Sequence, residues 1–455
     1  MIASVVVWAL LPDPLSRMLQ RNKIDPSMVS ILIQETRTGR EVASHLPRRA
    51  RVPASVIKIY TAYSALLGLG SSFRWPTKLY YTGRFSHGVI QGDLAVEAFG
   101  DPTMTTRDLE KIARRLRRLG IRHIKGNMIL DRSFFAVNNS VTSGFDRNRY
   151  SEYNAMPDTL MLNDHMSSFV IQTRHNTIVA AKTIPHDGYD LINRMQPTKA
   201  ACKGKHAWPR IAIGNRNGRS TVTLSGTIST RCPKRRITRL LTHTYESFYY
   251  AFKSALNSAG IVFDGRMILA RVPRSARALM IYRSPPLWSI VAKTLKKSNN
   301  LYARHLLLLL GAQHYGAPGT ETKGVRAIAS ILSDRRVWDP ATRIINGSGL
   351  SRKARTSAHA LVRVLQDAHR HYGHQWLNAL SIAGKDGTIR KRFKHSIAKG
   401  RAWMKTGTLN RAKNIAGYVR GKSGRLYTVA ILYNGAERWK GSALQNQIIE
   451  WLARR

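Results

Sequence analysis

The chain has 455 residues, 43% of them hydrophobic, so it can bury a large core and is expected to form more than one domain. Its 74 Lys and Arg residues outnumber 25 Asp and Glu residues, which gives a formal net charge of +49. Such a surface attracts polyanions such as nucleic acid, anionic lipid headgroups or acidic wall polymers, but it does not identify a reaction. The two cysteines form no Cys-x-x-Cys pair, which excludes a thiolate zinc site or a dithiol redox motif.

Residues 1–11, MIASVVVWALL, form an apolar run that is too short to span a bilayer. The run resembles the apolar centre of a secretory signal, although the basic residues that normally precede one are absent. We expect a truncated signal segment here, and the alternative is an ordinary buried segment. An extracytoplasmic location permits a disulfide between Cys202 and Cys232, but the sequence also allows two buried thiols.

The next segment has the sequence pattern of a β-hairpin, with strands predicted in residues 27–35 and 41–46. An apolar helix is predicted from Ser55 to about Leu69. Near the other end, three strands are predicted in residues 403–409, 414–421 and 425–435, and a closing amphipathic helix in residues 443–455.

Neither end has enough strands for a covered sheet, but together they give about five antiparallel strands with helices to pack on them. We therefore predict an α/β (α+β) fold in which residues 1–70 and 280–455 form one split domain. Residues 71–279 are expected to be a large β-rich insertion of two subdomains. Its clearest helix, residues 108–120, has arginines opposite its apolar positions, either as a solvated face or as a polyanion contact.

The first chemical motif is Ser55-Val56-Ile57-Lys58 at the start of the predicted apolar helix. A spacing of three residues puts the hydroxyl and the amine on one helix face. A serine hydroxyl needs a base to take its proton, and burial or nearby positive charge turns a lysine amine into such a base. Ser-x-x-Lys is common by chance, so the motif is weak when it stands alone.

Two further motifs strengthen this interpretation. Ser298-Asn299-Asn300 opens a predicted helix, and Lys405-Thr406-Gly407-Thr408 lies in a predicted strand. The strand lysine supplies positive charge, the threonine hydroxyls can bind a carboxylate, and the glycine allows close approach of the backbone. The order Ser-x-x-Lys, Ser-x-Asn, Lys-Thr-Gly is a strong combined signal.

With these motifs, the chain resembles the class C, low-molecular-mass penicillin-binding proteins, the D-alanyl-D-alanine carboxypeptidase/endopeptidase family. The resemblance extends over nearly the whole length. It also rests on the stretches VPASVIKIYTAYSALLGLG, GDLAVEAFGDPT, LDRSFF, YNAMP, NGSGLSR, AGKDGTIRKRF and WMKTGTLNRAKNIAGYV. It implies a penicillin-binding, serine β-lactamase-like domain with accessory domains inserted after the Ser55 helix.

The resemblance also implies an activity and catalytic roles. The enzyme would cleave D-alanyl-D-alanine peptides of peptidoglycan, as carboxypeptidase or endopeptidase, and β-lactams would acylate it covalently. Ser55 would be the nucleophile and Lys58 its proton acceptor. Ser298 and Asn300 would shuttle the proton and hold the substrate amide, and Lys405 would complete the positive field. No cofactor is implied.

The same resemblance implies substrate contacts. Thr406 and Thr408 would hold the terminal carboxylate beside Gly407, and the backbone amides of Ser55 and Thr408 would form the oxyanion hole. Less specific positions are Tyr153, near the substrate side chain; Asp146, near a diaminopimelate-like amine; and Arg352, which is either a cleft residue or a structural loop arginine. Asn346 replaces a common Asp, and Met156 a common Pro.

Other motifs are weaker. Gly421-Lys422-Ser423 looks like the end of a phosphate-binding loop, but Ala416 stands where that loop requires glycine. The 15 histidines show no His-Glu-x-x-His spacing, so no metal is required.

Three other functions stay open from the sequence. They are a polyanion-binding protein, an inactive wall-binding protein of the same fold, and a β-lactamase. The expected partners are peptidoglycan stem peptides and β-lactams, with an anionic wall polymer or membrane surface through the basic face and no specific nucleic acid. The expected location is the periplasm.

Overall fold

The computed structural model describes residues 13–138, 140–217 and 219–455, so the apolar run at residues 1–11 lies outside the described residues. The helices, in chain order, are α1 (Asp13–Arg21), α2 (Lys58–Leu69), α3 (Thr106–Arg118), α4 (Thr244–Ser258), α5 (Leu287–Lys297), α6 (Asn300–Tyr315), α7 (Glu321–Asp334), α8 (Ala358–Ala379) and α9 (Arg438–Arg454). Within the described ranges, no helix has both the length and the apolar character needed to cross a bilayer.

The strands up to residue 131 are β1 (Val29–Glu35), β2 (Glu41–His45), β3 (Pro76–Tyr81), β4 (Arg84–Ser86), β5 (Val89–Gln91), β6 (Leu94–Ala98), β7 (His123–Ile124) and β8 (Met128–Asp131). The strands that follow are β9 (Ser167–Arg174), β10 (Thr177–Lys182), β11 (Tyr189–Thr198), β12 (Arg210–Arg216), β13 (Arg219–Ser229), β14 (Arg235–Arg239), β15 (Val262–Phe263), β16 (Met267–Leu269), β17 (Arg277–Arg283), β18 (Ser381–Ile382), β19 (Ala402–Leu409), β20 (Ala412–Arg420) and β21 (Leu426–Tyr433).

The chain forms two compact units. The first contains the described residues up to Phe73 together with Pro286–Arg455, and the second is Arg74–Pro285. Strand β17 pairs with β3 inside the second unit. A boundary between residues 279 and 280, as expected from the sequence, would therefore cut a strand, because hydrophobic patterning does not show where a paired edge strand ends.

The first unit contains an antiparallel sheet in the order β18-β19-β20-β21-β1-β2. The predicted hairpin is confirmed as the β1–β2 pair, and the three predicted C-terminal strands are β19, β20 and β21. The sheet has six strands where we predicted about five. The additional strand, β18, has only two residues, which is too short for an alternating pattern to be visible in the sequence.

Helices cover this sheet and bury its apolar residues. Leu15 and Leu19 of α1 join Leu444 and Ile448 of α9 in one hydrophobic core with β1, β20 and β21. Helix α6 is buried from Asn300 to Ala312 and lies inside the helical layer, where it contacts α2 and α7. The closing helix begins at Arg438, five residues before its predicted start at Ala443.

The second unit is built around two hydrophobic cores. The first lies between α3, α4 and two sheets, of order β16-β8-β6-β3-β17 and β15-β7-β5-β4. The second is formed by the sheets β10-β9-β14 and β11-β13-β12. The predicted amphipathic helix is present as α3, and its apolar residues Leu109, Ile112, Ala113 and Leu116 are buried.

A disulfide between Cys202 and Cys232 is present, which decides between the two alternatives that the sequence left open. It closes a loop with a sequence separation of 30 residues beside the second core of this unit. In the chain-entropy account, such a cross-link stabilises the folded state by restricting the unfolded chain.

We therefore expect the double substitution Cys202→Ser and Cys232→Ser to lower the free energy of opening of residues 169–241 by about 3 kcal/mol. Hydrogen exchange measured by mass spectrometry would show faster exchange in β9–β14. Exchange in α3, which belongs to the other core, serves as the internal control. Equal acceleration in both cores would contradict a local effect.

Candidate active site

Ser55 lies in a short 3-10 turn, Ala54–Ile57, that leads directly into α2. The segment before it is fixed by two asparagine side chains. Asn434 Oδ1 accepts from the Val52 amide at 2.7 Å, and Asn414 Nδ2 donates to the Val52 and Pro53 carbonyls at 2.8 and 2.9 Å. Ala54 has a positive φ of 49°, a strained conformation for a residue with a Cβ. The nucleophile candidate therefore sits on a fixed turn.

The Lys58 amine is fully buried and points at Ser55. Its Nζ donates to Ser55 Oγ at 2.9 Å, to Asn300 Oδ1 at 2.7 Å and to the backbone carbonyl of Ser348. Ser55 is only partly buried, whereas Lys58 has no exposed surface.

The surroundings lower the pKa of Lys58 well below its usual value of 10.5. Burial is the main cause, because it disfavours the charged amine, and the positive charges of Lys405 and Arg304 act in the same direction. The three acceptors around Lys58 are neutral oxygens rather than carboxylates. A buried amine of this kind can accept a proton from a neighbouring hydroxyl.

The loop Asn346–Leu350 was not assigned a catalytic contact from the sequence. Its Ser348 carbonyl accepts from the Lys58 amine, and at 3.4 Å from Ser55 Oγ. Asn346 shapes the loop, because its Oδ1 accepts from the Ser348 amide and hydroxyl and its Nδ2 donates to the Leu350 carbonyl. The motif NGSGLSR marked this stretch, but a main-chain acceptor has no residue signature.

Ser298, Asn299 and Asn300 form the junction between α5 and α6. Ser298 ends α5 with a left-handed backbone, at φ 57° and ψ 34°. Asn299 caps α6 by accepting from the Tyr302 amide, and Asn300 opens the helix with its side chain on Lys58. Small polar residues favour such caps, which explains why this sequence forms a tight junction here.

Lys405 of strand β19 lies beside the junction between α5 and α6. Its fully buried Nζ donates to Ser298 Oγ at 2.8 Å and to the Thr406 carbonyl at 2.7 Å. Burial lowers the pKa of Lys405 to about 7. The Ser-x-x-Lys, Ser-x-Asn and Lys-Thr-Gly segments therefore meet through two buried amines.

Gly407 lets β19 run directly against the Ser55 turn. A Cβ at this position would lie 2.7 Å from the Pro53 carbonyl oxygen and 2.9 Å from the Ser55 amide nitrogen. Any side chain would thus push the strand away from the turn. On either side of it, Thr406 Oγ1 donates to Thr388 Oγ1 at 2.8 Å, and exposed Thr408 accepts from Lys413 Nζ at 3.3 Å. Thr388 and Lys413 were not identified from the sequence.

The less specific predicted residues have other surroundings. Asp146 and Tyr153 belong to the second unit and bond to each other, with Tyr153 Oη donating to Asp146 Oδ2 at 2.8 Å. Asp146 Oδ1 also accepts from the Asn154 side chain and the Asn148 amide. Arg352 is exposed, and its carbonyl accepts from Arg355 Nη1 at 2.7 Å. The roles of Asp146, Tyr153 and Arg352 stay predictions.

Comparison with known proteins supports the resemblance that the sequence motifs indicate. The chain is 27% identical to the D-alanyl-D-alanine carboxypeptidase of Actinomadura sp. (strain R39), over 97% of this chain and 84% of that protein. Its fold is similar to the crystal structure of penicillin binding protein 4 (dacB) from Haemophilus influenzae, with a TM-score of 0.81, 21% identity and coverage of 97% and 99% of the two chains. A structure of that protein in complex with a β-lactam gives a TM-score of 0.77, at 21% identity over 97% and 100% of the chains.

The family model of the D-Ala-D-Ala carboxypeptidase 3 (S13) family matches residues 11–455. This match includes the Ser55 turn, the Ser298 junction, strand β19 and the whole second unit. The fold class predicted from the sequence, and the resemblance to penicillin-binding proteins, are thereby confirmed. The chain is a serine-type peptidase that belongs to the D-Ala-D-Ala carboxypeptidase 3 (S13) family.

Proposed function

We propose that this peptidase acts on D-alanyl-D-alanine peptides of peptidoglycan outside the cytoplasm, through an acyl-enzyme on Ser55. The observation that carries the proposal is the fully buried Lys58 amine, 2.9 Å from Ser55 Oγ, with a lowered pKa. The lowered pKa increases the fraction of neutral amine, which is the form that can take the hydroxyl proton.

In the acylation step, Lys58 takes the proton of Ser55 while Oγ attacks the carbonyl carbon of the penultimate D-alanine. The oxyanion would be held by the backbone amides of Ser55 and Thr408. The contact between Gly407 and the Ser55 turn supports this role for Thr408, because it keeps the following strand residue close. The C–N bond then breaks, and the proton taken by Lys58 would pass through Ser298, which Lys405 contacts, to the leaving amine. The Lys58 amine is then neutral again.

Deacylation would reverse these roles, with a water molecule giving its proton to the same base and attacking the ester carbonyl. Asn300 would hold the substrate amide beside Lys58, and Thr406 and Thr408 would bind the terminal carboxylate. Terminal D-alanine release and cross-link cleavage share the Ser55 ester. β-Lactams carry a reactive amide and a carboxylate, so they would form the same ester and inhibit the enzyme.

The surface charge has a separate proposed role. Even if every acidic residue paired with one basic residue, 49 cations would keep no acidic partner, since the chain has 74 Lys and Arg and 25 Asp and Glu. We propose that this excess holds the enzyme at an anionic wall polymer or membrane surface. The exposed arginines 114, 115 and 118 of α3 lie on one such basic face.

We expect a fluorescent penicillin to label the wild-type protein covalently and Ser55→Ala not to be labelled, because the nucleophile is removed. Mass spectrometry of the digested adduct would place the label on the peptide that contains Ser55. The matched control is Ser72→Ala, an exposed serine beyond the end of α2, which should label like wild type. A folded wild type that stays unlabelled would refute the acyl-enzyme.

The pH dependence follows from the two lysines. The labelling rate should rise with pH while Lys58 loses its proton, and should fall as pH rises through about 7, where Lys405 loses its charge. Since the charge of Lys405 helps to lower the pKa of Lys58, Lys405→Met should move the acid limb to higher pH. Labelling rates measured by stopped flow between about pH 4 and 10, at intervals of about half a pH unit, would define both limbs of the profile.

An acid limb that stays in place, or moves to lower pH, in Lys405→Met would contradict the electrostatic coupling. Lys422→Met is the control for loss of one positive charge. Lys422 lies in the turn after β20, and its substitution should leave both limbs unchanged.

The surface proposal predicts binding that salt weakens. Retention on anionic vesicles or on a poly(glycerol phosphate) resin should fall strongly between about 0.05 and 0.5 M salt, because screening shortens the range of surface charges. Ser55→Ala should bind like wild type. Retention that does not respond to salt, or its absence at low salt, would rule out charge as the cause.

A further inference from the structure

Three cations lie together beside Thr408. Lys413 of β20 is the direct cross-strand partner of Thr408 in β19, and its Nζ donates to Thr408 Oγ1 at 3.3 Å. The positive charges of Arg392 and Arg438 are close enough to act on Lys413. We call Lys413, Arg392 and Arg438 the Thr408 cation cluster.

Lys413 and Arg392 are anchored by neutral groups of α9. Arg392 donates from Nε to Asn446 Oδ1 at 3.0 Å, and from Nη1 to Gln445 Oε1 at 3.4 Å. The fully buried Gln445 in turn donates from Nε2 to the Lys413 carbonyl at 2.8 Å. Helix α9 therefore fixes both the backbone of Lys413 and the guanidinium of Arg392.

No carboxylate balances this charge. Across the described part of the chain, no salt bridge includes Lys413, Arg392 or Arg438. The acidic neighbour in sequence, Glu437, pairs with Lys440 instead. In most folded proteins, partly buried cations are paired, because an uncompensated charge away from water is costly.

The cost of burying these charges lowers the pKa of two of the cations. Burial lowers the pKa of Arg392 to about 10. Burial, together with Arg392 and Arg438, lowers the pKa of Lys413 from its usual value. Lys413 and Arg392 are half-buried, Arg438 is exposed, and the exposed Thr408 hydroxyl lies beside Lys413. The cluster is therefore arranged to meet an anion from outside the chain.

We infer that Lys413, supported by Arg392 and Arg438, is a specificity-determining residue that pairs with the free α-carboxylate of the leaving group. This inference rests on the proposed function, in which Thr406 and Thr408 hydrogen-bond that carboxylate. Lys413 adds the full positive charge that two hydroxyls cannot supply. It makes the enzyme select peptides that end in a carboxylate over the same peptides that end in an amide.

The test compares two peptides, diacetyl-L-Lys-D-Ala-D-Ala and its C-terminal amide. In Lys413→Met, we expect kcat/KM for the acid to fall about tenfold or more, the size of a lost charge-assisted hydrogen bond, and kcat/KM for the amide to change less than about twofold. Lys413→Arg keeps the charge and should recover most of the preference for the acid. Lys422→Met, which removes an equal charge beyond the other end of β20, should behave like wild type.

The outcomes separate the possible causes. An equal fall for both peptides in Lys413→Met would mean a structural role for Lys413, and an unchanged preference would mean that Lys413 does not meet the carboxylate. Either result overturns the inference while the peptidase activity stands. If wild type hydrolyses neither peptide, and a fluorescent penicillin does not label Ser55, the proposed function itself fails. Thermal melts of each variant would verify that the fold is intact.

Discussion

The candidate active site depends on two lysine amines that are buried without a carboxylate partner among the described residues. Lys58 and Lys405 have no exposed surface, and their hydrogen-bond partners are serine hydroxyls, an asparagine amide oxygen and main-chain carbonyls. A carboxylate within reach would favour the protonated amine and raise its pKa. Neutral acceptors instead satisfy the N–H groups while leaving the cost of burying a charge in place. The low pKa of each amine follows mainly from burial, which these neutral partners do not offset.

This constraint explains why three distant segments must meet. Lys58 comes from the helix after the nucleophile, Asn300 from the start of the buried helix α6, and Lys405 from a strand close to the sheet edge. No single element could present a hydroxyl, two amines and an amide to one small volume. The sheet supplies a straight backbone along the cleft, and Gly407 removes the one side chain that would keep this backbone away from the Ser55 turn. The buried helix α6 fixes the position of Asn300.

The residues that could be predicted from the sequence are those whose chemistry is in the side chain. Ser55, Lys58, Ser298, Asn300 and the Lys405-Thr406-Gly407-Thr408 strand were predicted because their types and order carry a signal. The β1–β2 hairpin and the helices α2 and α3 were found because their apolar residues repeat at the period of the element.

The features that could not be predicted have no such signal. The Ser348 acceptor is a carbonyl, which every residue has. Asn414 acts through two main-chain contacts across more than 360 positions, and only the folded sheet brings them together. Strand β18 is too short to show a period, and the predicted domain boundary at residue 280 lies within β17, whose pairing with β3 has no signal in the sequence.

The same buried amines work against stability, and the sign of the effect can be derived. The pKa of Lys405 is about 7 in the folded protein and near its ordinary value of 10.5 in the unfolded chain. Below pH 7 both states hold the proton, so the folded state carries the full cost of a buried charge. Between about 7 and 10.5 the folded state has released it, and stability rises with pH until the unfolded chain also loses its proton. If catalysis needs Lys405 charged, as proposed, the enzyme works in the range where that charge costs the most stability, which the packed sheet and helices of the first unit must offset.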